Sequence, residues 1–164
     1  MHQVARGIIE QIIKENEAEI LRTETAQDMS INDAREAEGA MISRYDTFLE
    51  EAQYLAGGQA KRLMIARQVV SELQTLLVIN PNASTQVRIG SIVEVENLSS
   101  EEHRKYIIVV DGAGGGTYTD SKDGNALYAV SALSPIGCSV VGQEEGELVT
   151  LTGGKEEWEI IEIL

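Results

Sequence analysis

The sequence predicts an α+β chain: an antiparallel helical hairpin (a coiled coil) over residues 1–79, then an antiparallel sheet domain with one short helix over residues 80–164. Three observations predict it. The only prolines are Pro81 and Pro135, so residues 3–78 lack the strongest helix breaker. Apolar residues recur at helical spacing through that half. The second half turns to alternating apolar and polar residues and is rich in Gly, Val, Ser and Thr.

The first arm carries Ile8, Ile9, Ile12, Ile13, Ile20 and Leu21 at helical spacing. The second carries Phe48, Ala52, Leu55, Leu63, Ala66, Val70, Leu73 and Leu77, interrupted by Gln59. Two places offer a reversal: the capping signal Ser30-Ile31-Asn32-Asp33, and the stretch from Gly39 to Tyr45. Facing positions in an antiparallel hairpin have a constant index sum. A turn near residue 42 pairs Ile8 with Leu77, Ile12 with Leu73 and Ile20 with Ile65. It also sets Ala26 and Met29 against Ala56, Gly57 and Gln59, so large faces large and small faces small. A turn near 31 leaves most of the second apolar stripe overhanging. The turn near 42 is preferred, and two arms of roughly 35 residues then make a rod about 50 Å long. Gly57-Gly58 weakens the second arm by about 1 kcal/mol per glycine and marks a bend or a close helix contact.

Asn80-Pro81-Asn82-Ala83-Ser84 reads as the linker. Val87–Val95 alternates as a strand, and Tyr106–Val110 and Leu127–Val130 are short strands. Ser134 suits an N-cap and Pro135 the first helical position; the apolar turn they open stops at Gly142. Glu145-Gly146 turns the chain into a further strand. After Gly153-Gly154, Trp158–Leu164 forms the last one, with Trp158 as a core anchor. The glycine-rich run Asp111–Thr117 lacks the Gly-Lys-Ser/Thr ending of a phosphate loop and precedes no helix pattern, so it reads as a connection between strands.

Composition narrows the function. With 27 acidic against 13 basic residues, the net charge is −14. A broad basic face for duplex DNA is therefore disfavoured, and with it autonomous sequence-specific DNA binding. Docking on a basic protein surface remains compatible. No apolar run approaches the roughly 20 residues of a membrane helix, and the N-terminus shows no secretory pattern. The single cysteine, Cys138, forms no internal disulfide, fits a reducing cytoplasm and reads as a small buried hydrophobe. His2 and His103 read as isolated solvent positions, one terminal and one in a loop.

Ser134-Pro135-Ile136 and the apolar stretch ending Val141-Gly142-Gln143-Glu144-Glu145-Gly146-Glu147 resemble the C-terminal domain of the GreA/GreB transcript cleavage factors. That family carries a Ser-Pro-Ile/Met helix start, an Ile-Gly-Lys-Glu-x-Gly-Asp-like close, two strands and a Pro-Gly-Gly-type turn. Ser43–Tyr54 is similar to the family segment Asp-Leu-Lys-Glu-Asn-Ala-Glu-Tyr, and Tyr54-Leu55-Ala56-Gly57-Gly58-Gln59 is similar to divergent Gre-like proteins. The resemblance covers about residues 45–164 and is most specific in the last 35. It implies an FKBP-like sheet domain and bacterial RNA polymerase as partner. Docking would fall on Ser134, Pro135 and Ile136. The hairpin would enter the nucleotide-entry channel and stimulate cleavage of backtracked RNA, the protein alone having no nuclease activity.

Matching Ala52 and Tyr54 to the family segment places Glu50 at its catalytic glutamate and Thr47 at its aspartate, with Asp46 one residue earlier. The resemblance thus implies Asp46 and Glu50, with Glu51 in reserve, as catalytic and metal-binding carboxylates sharing Mg²⁺ with the polymerase. The spacing here is Asp-x-x-x-Glu, and Arg44 and Tyr45 stand where a small polar loop is usual. Asp46 equally suits the cap of the second helix. A polymerase-binding regulator without cleavage is therefore the alternative reading. A third, a peptide-binding or prolyl-isomerase-like module, needs an aromatic-lined pocket; the chain has five Tyr, one Trp and one Phe.

Overall fold

The computed structural model describes residues 1–37, 45–79, 85–151 and 156–164, with the backbone alone described at 30–37 and 45–56. Helix α1 spans Gln3–Ala37 and α2 spans Tyr45–Ile79, 35 residues each. Helix α1 runs through Ser30–Asp33 without a break, so the chain does not reverse there. The reversal expected near residue 42 lies outside the described residues, as do the expected linker at Asn80–Ser84 and the Gly153-Gly154 turn. His2 is not a free terminal side chain. Its Nδ1 accepts the Val4 N–H at 3.3 Å and its carbonyl accepts from Arg6 at 3.0 Å, so it caps α1.

The arms keep the index sum that a turn near 42 requires. Ala26 with Gln59, and Thr23 with Arg62, line one shallow groove between them. Ile20 shares this groove with Leu63 and not with Ile65, which is 46% exposed and turns toward Gly112. Glu24 and Arg67 form an ion pair across the arms. Gly57 and Gly58 do not mark a close contact: α2 runs through both, and an added Cβ would meet nothing within 4 Å.

Six strands follow: β1 (Ile92–Asn97), β2 (His103–Val109), β3 (Thr117–Thr119), β4 (Ala126–Ser131), β5 (Leu148–Thr150) and β6 (Glu157–Ile163). They form one sheet in the order β3-β4-β2-β1-β6-β5. Every pairing is antiparallel except β2 with β4. The strand expected from Val87 starts only at Ile92, because Gly90 at φ +91° and the Ser91 N–H to Arg88 carbonyl bond make a turn. Helix α3 (Pro135–Val140) lies between β4 and β5.

The alternation along the strands builds two cores on opposite faces. On one face, Ile92, Ile107, Val109, Leu127 and Ala129 pack against the hairpin base, where Ile8, Ile9, Ile12, Val69, Val70 and Leu73 are buried. On the other, Val93, Val95, Tyr106, Ile108, Trp158 and Ile160 pack with Val140 of α3 and with Val87, Val149 and Leu151. Each such aliphatic side chain contributes about 1.5–3 kcal/mol of burial. Trp158 is the anchor expected of it, with the Arg104 guanidinium 4.8 Å from its ring centre. Cys138, by contrast, is exposed. A helix of six residues turns only one narrow side to the sheet, and Gly137 and Val140 occupy it.

The glycine-rich run connects β2 to β3 and is tied to β4. The Gly115 N–H donates to the Ala129 carbonyl at 2.8 Å, and the Ala129 N–H donates to Gly116 at 2.9 Å. A Cβ on Gly114 would lie 2.7 Å from the Ser131 nitrogen, so glycine is what lets this crossing pass over the end of β4.

Candidate functional site

The start of α3 is built from the end of β4. Ser134 has extended backbone (φ −69°, ψ 160°), and its Oγ accepts the Gly137 N–H at 3.0 Å while donating to the Ser131 carbonyl at 2.7 Å. Its carbonyl accepts the Cys138 N–H at 2.8 Å. Pro135 follows at the first helical position and is exposed. Position 137 sits so close to the strand that a Cβ would fall 2.1 Å from the Ser131 carbonyl oxygen. Ser-Pro-x-Gly is therefore the pattern that pins this helix onto the sheet. The Ser134 hydroxyl is consumed internally, which leaves Pro135 and the half-buried Ile136 as the outward groups of the predicted docking trio.

Ile136 opens onto a groove of about 460 Å³ shared with Arg104, Tyr106 and Tyr128. The two tyrosine rings lie 6.0 Å apart at 44°, but only Tyr128, 40% exposed, shows its ring to solvent. Arg104 is held by Glu102 Oε1 at 2.7 Å, and that bond raises its already high pKa. Leu133, 71% exposed, extends the apolar surface beside Pro135. Tyr128, Arg104 and Leu133 were not singled out from sequence. Tyr128 had a signal: it alternates with Leu127 and Ala129, so once those face the hairpin it must face the other way.

A second polar cluster stands at the far end of the hairpin-side sheet face. Lys105 Nζ lies 3.3 Å from Asp120 and 3.5 Å from Glu94, and is also bonded to Asp123. Burial opposes the Lys105 charge, but the bonds from Asp123 and Asp120 prevail and raise its pKa. The same bond from Lys105 holds Asp123 down at about 2. His103 begins β2 and is not in a loop; its Nδ1 lies 3.2 Å from Glu94 and its Nε2 3.9 Å from Glu96. Among the described residues no three His, Cys, Asp or Glu side chains converge to hold a metal ion.

The expected metal-binding carboxylates, Asp46 and Glu50, lie one turn apart in the opening turns of α2, and their side chains lie outside the described residues. Helix α2 already includes Tyr45, so Asp46 lies within the helix and not at its cap. Glu51 is likewise described by its backbone alone.

A long helical pair seated on a mixed sheet, with a capped helix start at the rim of a groove, defines an α+β protein. Known proteins give the class a family. The model of the C-terminal domain of transcription elongation factors GreA/GreB matches residues 81–164. Transcription elongation factor GreA of Alkalilimnicola ehrlichii is 33% identical over 121 residues, covering 70% of this chain and 71% of that one. GreA of Xylella fastidiosa (strain M12) is 29% identical over the same length. Among solved structures, GreA factor homolog 1 (Gfh1) of Thermus thermophilus aligns over 95% of this chain and 94% of its own, at 20% identity and a TM-score of 0.41. The chain belongs to the GreA/GreB family of transcription elongation factors. No helix among the described residues is long and apolar enough to cross a membrane.

Proposed function

We propose that this chain binds bacterial RNA polymerase through the α3 start, inserts its hairpin into the nucleotide-entry channel, and stimulates cleavage of backtracked RNA. Family membership is the observation that carries this reading; the exposed Pro135 and Leu133 and the half-buried Ile136 around a capped helix start support the dock. Asp46 and Glu50 are proposed as ligands of a Mg²⁺ shared with the polymerase. Two carboxylates supply too few of the six oxygens that Mg²⁺ requires, so the polymerase completes the shell and the protein alone cuts nothing. Bound there, Mg²⁺ would supply a water of lowered pKa for cleavage of the RNA backbone.

The altered Asp-x-x-x-Glu spacing favours the second reading, a polymerase-binding regulator without cleavage. Both readings share the dock. Pro135→Glu leaves the cap of Ser134 intact and should weaken binding to polymerase core enzyme while the circular dichroism stays that of the wild type. Unchanged affinity in the folded variant would place the dock elsewhere.

A further inference from the structure

A cleft of about 660 Å³ lies between the opening turns of α1 and the turn that joins β3 to β4. Arg6 and Gly7 line it from the helix; Thr119, Ser121 and Lys122 line it from the sheet. Two cations from separate elements thus line one space, with the single carboxylate of Glu10 beside Arg6, in a chain of net charge −14. Neighbouring acids do not cancel Lys122. Asp120 and Asp123 both turn to Lys105, and Asp120 takes only the backbone N–H of Lys122, at 2.8 Å. Arg6 is steadied by its Nε bond to Glu10 at 3.0 Å. Thr119 and Ser121 add two hydroxyls.

Gly7 leaves the cleft open on the helix side. Glycine inside a helix is less stable than alanine by about 1 kcal/mol. Nothing in the packing calls for it here: an added Cβ would meet no atom within 4 Å, and its φ lies outside the positive range. Its effect is to leave the wall of the cleft without a side chain.

We propose that this cleft binds the phosphate group of a small molecule, either inorganic phosphate or a nucleoside monophosphate. A phosphate offers oxygens enough for a guanidinium, an ammonium and two hydroxyls at once, and charge-assisted bonds to it are the strong kind. Bound there it bridges α1 to the sheet and ties the hairpin base to its platform. The proposal is independent of the polymerase reading.

The full chain is titrated with sodium phosphate and with adenosine monophosphate, by calorimetry and thermal shift, against sodium chloride at matched ionic strength. The expected result is a saturable, phosphate-specific rise in Tm, as binding to the folded state requires. Arg6→Ala and Lys122→Ala should each weaken binding about tenfold. Gly7→Leu should keep or raise the ligand-free Tm and remove the phosphate-dependent shift. Tighter binding of the nucleotide than of phosphate would identify a nucleotide as the source. A shift no larger than that of chloride, or one that Gly7→Leu leaves intact, would overturn the proposal.

Discussion

The base of the hairpin and its outer length are the same two helices in different surroundings. At the base, Ile9 and Leu73 are completely buried between the opposite arm and the sheet. Farther out only the other arm remains as cover. Leu63 is still buried there, while Leu21 and Met64 are about two-thirds exposed, at 65% and 64%. Small and polar groups such as Ala26 and Gln59 line the seam, and an exposed ion pair of Glu24 with Arg67 crosses it. Such a pair contributes little in water. The base therefore carries the stability and fixes where the rod points, while the outer length is free to be polar.

Core truncation tests this difference with the largest expected effect. Leu73→Ala should cost about 4 kcal/mol of unfolding free energy, and Leu63→Ala about 2. Urea denaturation of the two variants measures both; equal losses would erase the contrast between base and outer length.

Removing the cap of α3 comes next. Ser134→Ala should cost about 1 kcal/mol by loss of the bonds to Gly137 and Ser131. The same denaturation experiment reads it, and α3 packs in the core on the sheet face opposite the hairpin, so the loss should add to that of Leu73→Ala.

The contact between base and sheet also has a pH signature. Tyr118 Oη donates to Glu15 at 3.0 Å, and burial together with that carboxylate pushes the phenol up to about 12. The folded state thus holds this proton more tightly than the unfolded chain does. Its stabilising share is intact below pH 10 and is lost as pH rises from about 10 to 12. Solvent screening limits the effect to about 1 kcal/mol. Thermal melts across that range should fall more steeply for the wild type than for Tyr118→Phe; parallel curves would remove the latch.

The smallest effect should come from Gly58→Ala, which has room for its methyl and should raise stability by somewhat less than about 1 kcal/mol. A loss instead would show that the outer length packs against something at that position.

The hairpin was legible because its information is local and periodic: residues such as Ile12 and Leu73 repeat on one face and match about residue 42. The Ser134-Pro135 helix start was legible for a similar reason, since a cap is a property of adjacent residues. What escaped depends on contacts between distant segments. Strand β3 has only three residues, too few for a period, and its neighbour is set by the glycine crossing at residues 114–116. The parallel pairing of β2 with β4 follows from that crossing. Cys138 was misjudged because apolar character alone does not say which side of a six-residue helix meets the sheet. His103 was misjudged because its partners, Glu94 and Glu96, arrive from a neighbouring strand. The groove beside Ile136 escaped for the same reason, being assembled from β2, β4 and α3. Asp46 and Glu50 rest on sequence position and family resemblance, with the backbone of α2 beneath them.

The most direct test is RNA release from backtracked elongation complexes over a range of Mg²⁺ concentrations, with polymerase binding measured in parallel. The account predicts that the wild-type protein accelerates release of the RNA 3′ fragment. It predicts that Asp46→Ala combined with Glu50→Ala abolishes that acceleration while binding persists, since these carboxylates belong to α2 and the proposed dock to α3 of the sheet domain. A wild-type protein that binds polymerase yet accelerates no cleavage at any Mg²⁺ concentration would contradict it.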